Sequence, residues 1–446
     1  MGKARGKSRR PRGELHHPCG LRSPQAAARQ GESRSGRRGQ APDRDPRRRG
    51  LGPACHRQDQ LESAERGESS RGRVKAPASW ASSLLLQLLR EDEEGARTTI
   101  EREEGAGEGW RQFLSLAGKH GVADYLASLW RGRDLASCFP AEVAAGMEER
   151  RRKTIYDNLV LAASAGPILQ GLRERGIVPI VLKGGALLGR VYPDPGARSL
   201  TDIDLLVRRE RAAEACRMLE HQGMRPMEET QKAARRSGFE AHAPGSVPVE
   251  IHWDLSQRYR FQADLDGVWE RSVEFEFEGA PARRLAPADE FTYLALHYAA
   301  HYFGVSLKWL VDLREILRRE PPAPEEVASR ARGWGGEAAL HFALRYLRRV
   351  YPDLPYPDEL DLAVERPIRD RLIAPFLSPD PLLLVKERSR GPSRLLMGLL
   401  FVDRPADMLR LGWVTLLSGE DHEHPPGVEN APPAGGSSGS NRPRAV

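Results

Sequence analysis

The chain has 446 residues, 29% charged and 39% hydrophobic, with a formal net charge of +7. That length gives room for two domains, or for one domain with a helical extension. No apolar run approaches the ~20 residues of a membrane span, so a membrane-embedded class is excluded. The charge is unevenly spread: residues 1–77 hold 17 Arg and 3 Lys against 3 Asp and 5 Glu, a net of +12, which leaves −5 for the rest. The basic balance therefore belongs to the N-terminal segment, and it is poor evidence that the folded body binds nucleic acid.

Residues 1–78 are rich in Arg, Gly, Pro, Ser and Gln and read as a disordered basic tail, because they offer too little apolar surface to offset the entropy of ordering. A basic arm touching nucleic acid or a membrane surface is the functional alternative. The bland alternative is an upstream stretch outside the product. Arg outnumbers Lys 60 to 9, as GC-rich coding sequence would give, and a shorter product would need a non-Met start such as Val74, since Met147 is the next Met. The four cysteines, Cys19, Cys55, Cys138 and Cys216, have no zinc-ligand spacing, and no secretory signal is present. The expected compartment is the reducing cytoplasm.

Order is expected to begin near Trp80. Residues 80–90 and 110–130 carry apolar residues at helical spacing, joined by an acidic connector. A long helix fits 141–175: Ile155, Leu159, Ala162, Ala165, Leu169 and Leu172 form its stripe, Pro167 should kink it and Gly176 should stop it. Residues 79–176 thus form an N-terminal helical region. A small α/β core follows over 177–286: a strand at 177–182, a short helix through Leu188, a strand at 203–207, a helix at 210–222, irregular strand-like pieces at 224–243 and a strand at 247–253. From Pro287 the period is helical again, at 289–303, 307–319, 324–332 and 337–351, with weaker segments to Leu417. Residues 287–419 therefore read as a C-terminal helical domain and 420–446 as a disordered tail. The fold class is α+β, a small mixed sheet flanked by helices.

The chemistry concentrates in two short stretches of the core. Ile180-Val181-Leu182-Lys183-Gly184-Gly185 ends an apolar strand in a glycine pair. Thr201-Asp202-Ile203-Asp204-Leu205-Leu206-Val207 is a second strand. Period-two alternation places Asp202, Asp204 and Leu206 on one face, and Ile203, Leu205 and Val207 on the other. In Val247-Pro248-Val249-Glu250-Ile251-His252-Trp253 the same arithmetic separates the apolar positions from Glu250 and His252. If the two strands pair, Glu250 joins the aspartates. Three carboxylates on one surface raise one another's pKa unless a cation neutralises them, and magnesium, which takes carboxylates plus phosphate oxygens, suits the need, with manganese as the alternative.

These residues resemble the nucleotidyltransferase superfamily of the DNA polymerase β type, with its strand, Gly-Gly turn and Asp-x-Asp strand. The 16 residues between Gly185 and Asp202 are more than its minimal forms use. The chain is more similar to a bacterial group of uncharacterised nucleotidyltransferases. Leu182-Lys183-Gly184, Tyr192, Arg198, the Asp202–Val207 run, Glu250-Ile251-His252-Trp253 and Leu296-His297…His301…Trp309-Leu310-Val311-Asp312-Leu313 carry that similarity, over roughly residues 80–312.

The resemblance implies transfer of a nucleoside monophosphate from an NTP to an acceptor, with release of pyrophosphate. Asp202, Asp204 and Glu250 would be catalytic and would hold two Mg²⁺ ions, while Lys183, Gly184, Gly185 and Arg198 would bind the nucleotide. His252, His297, His301, Lys308 and Asp312 would support the site from a second layer. The acceptor stays open between a small molecule, a protein and RNA. Two other readings stand beside it: a non-catalytic nucleotide-binding or antitoxin-like interaction protein, and a toxin-like transferase acting on RNA or protein. A protein kinase is excluded because no Gly-rich loop, HRD or DFG pattern is present. A zinc hydrolase built on His297 and His301 lacks the needed Glu, since position 298 is Tyr.

Overall fold

The computed structural model describes residues 79–102, 107–226, 238–242, 247–257, 260–304, 306–354, 360, 366–384 and 392–418. The expected basic N-terminal tail, the expected C-terminal tail from 420 and most of the irregular stretch at 224–243 lie outside them.

Four short helices open the described chain: α1 (Trp80–Arg90), α2 (Glu93–Glu101), α3 (Glu108–Lys119) and α4 (Ala123–Leu129). Ser79 caps α1 by accepting from the Ser82 amide, and Asp92 caps α2 by accepting from the Gly95 amide. The acidic connector expected after α1 is thus partly a helix. Asp92 and the first-turn Glu93 and Glu94 favour its positive N-terminal end, an effect of capping and dipole that apolar spacing does not report. The apolar stretch at 110–130 is two helices, because Gly121 takes a left-handed φ of 67°.

The long helix α5 (Ala141–Glu174) contains Pro167 and gives way to Gly176 at φ 68°. Next come β1 (Ile180–Val181), α6 (Lys183–Leu187), β2 (Ile203–Leu206), α7 (Arg209–His221), β3 (Arg225–Pro226), β4 (Gly238–His242) and β5 (Val249–His252). The segment after β5 adds α8 (Leu265–Arg271) and a hairpin, β6 (Val273–Phe277) and β7 (Ala280–Arg284). The sequence reading did not include these three elements. The hairpin turns at Glu278 and Gly279, both at positive φ, which is the signature of a tight two-residue turn. The helical part comprises α9 (Pro287–Ala300), α10 (Lys308–Arg319), α11 (Pro324–Trp334), α12 (Glu337–Val350), α13 (Pro367–Ile373), α14 (Pro392–Leu400) and α15 (Pro405–Ser418).

The seven described strands form one mixed sheet in the order β3-β4-β5-β2-β1-β7-β6. Strands β2 and β5 run parallel with Ile203 opposite Val249, Asp204 opposite Glu250 and Leu206 opposite His252. β1 is antiparallel to β2 and parallel to β7. Ile203, Leu205, Val207, Val249 and Ile251 point to a core shared with α5 and α7. Fully burying such a side chain is worth about 1.5–3 kcal/mol, so slipping β2 by one residue would expose this set and is strongly disfavoured. Ile180, Leu182 and Leu206 face a second core, to which helices from both ends of the described chain contribute. Among the described residues no helix is long and apolar enough to cross a membrane.

Glu91 ties the N-terminal helices to α10. It accepts from Arg314 at 2.5 Å, Arg133 at 2.8 Å and Arg318 at 2.8 Å. Burial by itself would raise its pKa, but the hydrogen bonds from Arg314 and Arg133 and the charges of Arg314 and Arg318 outweigh that and bring it down to about 2. A carboxyl depressed on folding contributes stability that is present above its unfolded pKa and is lost as pH falls through the folded value. Glu91→Gln should therefore lower stability at pH 7 by about 1–2 kcal/mol and flatten the acid limb of the stability profile between about pH 4.5 and 2. Urea denaturation of both proteins across that range checks this.

Candidate active site

The crossover between the two motif strands is pinned before the site forms. Arg151 of α5 grips Asp194 through two hydrogen bonds of 2.7 and 2.8 Å. Asn158, two helical turns further on, donates to the carbonyls of Pro195 (2.7 Å) and Arg198 (2.9 Å) and accepts from the Leu200 amide (3.0 Å). The 16 residues between Gly185 and Asp202 are therefore an excursion clamped onto α5, which delivers β2 in a fixed register.

Lys183 begins α6 with φ 50°, a left-handed conformation uncommon for a non-glycine residue. The Leu182 amide bonds the Asp204 carbonyl at 3.0 Å, so the Lys183 side chain emerges beside Asp204. Its Nζ lies 2.6 Å from Asp204 Oδ1 and 3.7 Å from Glu250 Oε2. The parallel register brings Glu250 directly alongside Asp204, and period two carries His252 onto the same face. His252 Nε2 lies 2.9 Å from Asp204 Oδ1 and 3.0 Å from Glu250 Oε2. One ligand atom each from Asp204, Glu250 and His252 falls within 4.8 Å of the others, a grouping fit to hold a metal ion.

Asp202 stands outside that grouping. It was expected to converge with Asp204 and Glu250; its side chain accepts from Thr201 Oγ1 at 3.1 Å, and it is not part of the three-residue grouping. Burial, with the nearby Asp204 charge added, pushes its carboxyl up to about 6. Burial likewise favours the neutral form of His252, yet its bonds to Asp204 and Glu250 raise it to about 9. For Glu250, burial raises the pKa, but Lys183 and His252 hold the carboxyl well below the usual range. Burial opposes the charge on Lys183 as well, and Asp204, Tyr293, Glu250 and Asp202 together push its pKa well above normal. The cluster is a near-balanced set of charges, three carboxylates against an ammonium and an imidazolium.

The glycine pair has a packing role. A Cβ on Gly184 would run into Leu200 Cδ2, and one on Gly185 would come within 2.9 Å of Val181 Cγ1. Both glycines are buried. Glycine thus suits the close approach of the Leu200 and Val181 side chains, beside the phosphate cradle expected from the sequence.

Arg198 also has a different environment from the one expected. It is 6% exposed and donates through Nε and Nη2 to the two oxygens of Asp312, at 2.9 and 3.0 Å, and through Nη1 to the Ser199 carbonyl at 2.6 Å. Tyr192 adds a bond to Asp312 Oδ1 at 2.7 Å. The guanidinium fork offered to a triphosphate by the sequence reading is engaged by Asp312, which is fully buried on α10. Asp312 thus supports the site as the anchor between helix and crossover. Lys308, at the start of the same helix, has its pKa pushed down to about 8, by burial first and then by the positive charge of Arg198. His297 and His301 form a ring cluster with Trp309: centroids are 4.5 Å apart between the imidazoles, and 5.0 and 4.8 Å from each to the indole.

Tyr293 was missed. It is buried one helical turn before His297, their rings 5.9 Å apart, and it shares the electrostatic field of Lys183, Asp204 and Glu250. Its i, i+4 spacing to His297 on α9 was the available signal.

The mixed sheet thus carries the Asp202-Ile203-Asp204 stretch beside the Lys183-Gly184-Gly185 turn and Glu250. A family model described as uncharacterised nucleotidyltransferase matches residues 106–352, and the chain belongs to that family. No curated protein is significantly similar to it. Among solved structures, the antibiotic-resistance factor ANT(2'')-Ia is 18% identical with a TM-score of 0.29, over 39% of this chain and 89% of its own. An antigenic nucleotidyltransferase-like protein from Paracoccidioides brasiliensis is 19% identical with a TM-score of 0.30, over 48% and 92%. Likenesses at those TM-scores have no bearing on what this chain does.

Asp312→Ala should leave Arg198 buried without its partner. Breaking a buried pair on one side costs about 3–5 kcal/mol, so a fall of that size in unfolding free energy is expected. Asp312→Asn, which keeps the shape and part of the hydrogen bonding, should cost less. Equal, negligible losses in chemical denaturation would remove Asp312 from its anchoring role.

Proposed function

We propose that the chain transfers a nucleoside monophosphate from an NTP to an acceptor nucleophile and releases pyrophosphate. The observation that carries this is the joining of Asp204, Glu250 and His252 with Lys183 at the end of the motif strands, in a member of a nucleotidyltransferase family. The donor set, two carboxylates and an imidazole with Asp202 close by, fits divalent cations, and Asp202, Asp204 and Glu250 would hold two, Mg²⁺ arriving with the triphosphate. Bound there, such ions stabilise the attacking and leaving oxygens of an in-line displacement.

The residues of the chain divide the remaining work. Lys183, kept charged by the carboxylates around it, offers a positive charge to the phosphates from a backbone position fixed at β1. Its ammonium already neutralises Asp204, so nucleotide and metal together have to replace that pairing. Glu250, held well below the normal range, is a weak proton acceptor at neutral pH, which favours a ligand role over general-base work. Arg198 supports the turn through Asp312, with Nη1 and Nη2 each keeping one N–H that these bonds do not use. The net charge of −5 outside residues 1–77 favours a small-molecule or protein acceptor over a large RNA.

Asp204→Asn removes one ligand charge at nearly constant volume. It should cut pyrophosphate release from labelled NTP by at least about a hundredfold while leaving the thermal midpoint within a few degrees. Mass spectrometry of acceptor pools after incubation with each NTP would show the added nucleotide. Metal-independent NTP binding with no pyrophosphate from the wild type would instead indicate a binding module.

A further inference from the structure

His252 was expected behind the carboxylates, as a support. In the structure its Nε2 lies 2.9 Å from Asp204 Oδ1 and 3.0 Å from Glu250 Oε2. The three ligand atoms group within 4.8 Å, while Asp202 does not join them. This follows from backbone geometry. Glu250 and His252 are alternate residues of β5, so they share a face, and the parallel register places Asp204 beside them on β2. His252 is partly buried, its neighbour Ile251 locked in the core below the sheet.

We infer that His252 is a direct ligand of the metal site it forms with Asp204 and Glu250, the ion taking the place of the proton on Nε2, which is released to solvent, and that this mixed nitrogen–oxygen site prefers a first-row transition-metal ion, manganese(II) or cobalt(II), over magnesium. The inference takes its location from the nucleotidyltransferase reading and adds the identity of one ligand and the ranking of ions. Mg²⁺ is a hard cation that favours oxygen donors and gives up its waters reluctantly. An imidazole nitrogen favours first-row divalent ions, whose affinity for nitrogen sites rises from Mn²⁺ through Co²⁺. A site built only from carboxylates would not separate these ions by a nitrogen bond. One in which an imidazole stands at ligand distance from two carboxylate oxygens does. Lys183 Nζ lies 2.6 Å from the same Asp204 Oδ1, so its ammonium would have to move off that oxygen for an ion to bind there.

The test uses the full chain and metal ions alone, without nucleotide. Mn²⁺ is titrated by electron paramagnetic resonance, Mg²⁺ is measured as its competitor, and pulsed measurements look for imidazole-nitrogen coupling at one equivalent of Mn²⁺. The wild type should show that coupling and bind Mn²⁺ at least about tenfold more tightly than Mg²⁺. His252→Gln should lose the coupling and weaken Mn²⁺ about tenfold or more, with Mg²⁺ changed by no more than about threefold. Asp204→Asn should weaken both ions together. If His252→Gln does not fold, the wild-type spectrum and the ion ranking still decide.

Absence of nitrogen coupling, or equal losses for the two ions in His252→Gln, overturns the inference. Pyrophosphate release with Mg²⁺ alongside a nitrogen-free Mn²⁺ spectrum would overturn His252 as ligand and leave the transferase reading in place. Nitrogen coupling lost in His252→Gln, with no turnover of any NTP under any cation, would do the reverse.

Discussion

Everything at the candidate site depends on the parallel pairing of β2 with β5. It sets Asp204 opposite Glu250 and Leu206 opposite His252. Because side chains alternate with period two, the same pairing sends Ile203, Leu205, Val249 and Ile251 into the core against α5 and α7. Apolar burial on one face therefore enforces the polar constellation on the other. The alignment needs no interaction among the charged groups themselves, which would otherwise repel as carboxylates.

The second constraint is charge balance in a poorly solvated place. Asp204 is 4% exposed, and isolated charges at such positions are costly. Lys183 and His252 compensate by direct contact, and each is held in its charged form by the carboxylates it touches. For Asp202, burial and the Asp204 charge outweigh the nearby lysines and push the carboxyl up to about 6. The site thus holds its carboxylates against cations of its own and is not left with bare repulsion.

Around this centre, helices distant in sequence act as one frame. Asp312 on α10 holds the Arg198 guanidinium and the Tyr192 hydroxyl, joining the helical part to the crossover between the motif strands. Glu91 at the end of α1 grips Arg314 and Arg318 of the same helix. α10 is thereby fixed from both sides, and with it the position of Lys308 near Asp202. Buried ion pairs of this kind contribute little net stability compared with apolar replacements, but losing one partner is expensive. Their use here is to fix geometry.

The sequence by itself determined the long and strongly periodic parts. The helices at 80–90, 141–174 and 287–350, the β2 and β5 strands and the face shared by Glu250 and His252 follow from apolar spacing, which is a local property. Short or locally encoded elements were less legible. The α2 helix rests on the Asp92 cap, and the β6–β7 hairpin rests on Glu278-Gly279, a turn signal that apolar counting passes over. Only the tertiary structure decided which residues meet. Strand phasing put Asp202 with Asp204 on one strand face and Glu250 with His252 on another, whereas three-dimensional pairing brought Asp204, Glu250 and His252 to within ligand distance of one another, because that distance depends on where neighbouring strands start and on side-chain direction. It also committed Arg198 to Asp312, 114 positions away, and gave Gly184 and Gly185 a packing reason. Contacts between distant segments depend on how the chain closes on itself, and no local period in the sequence carries that information.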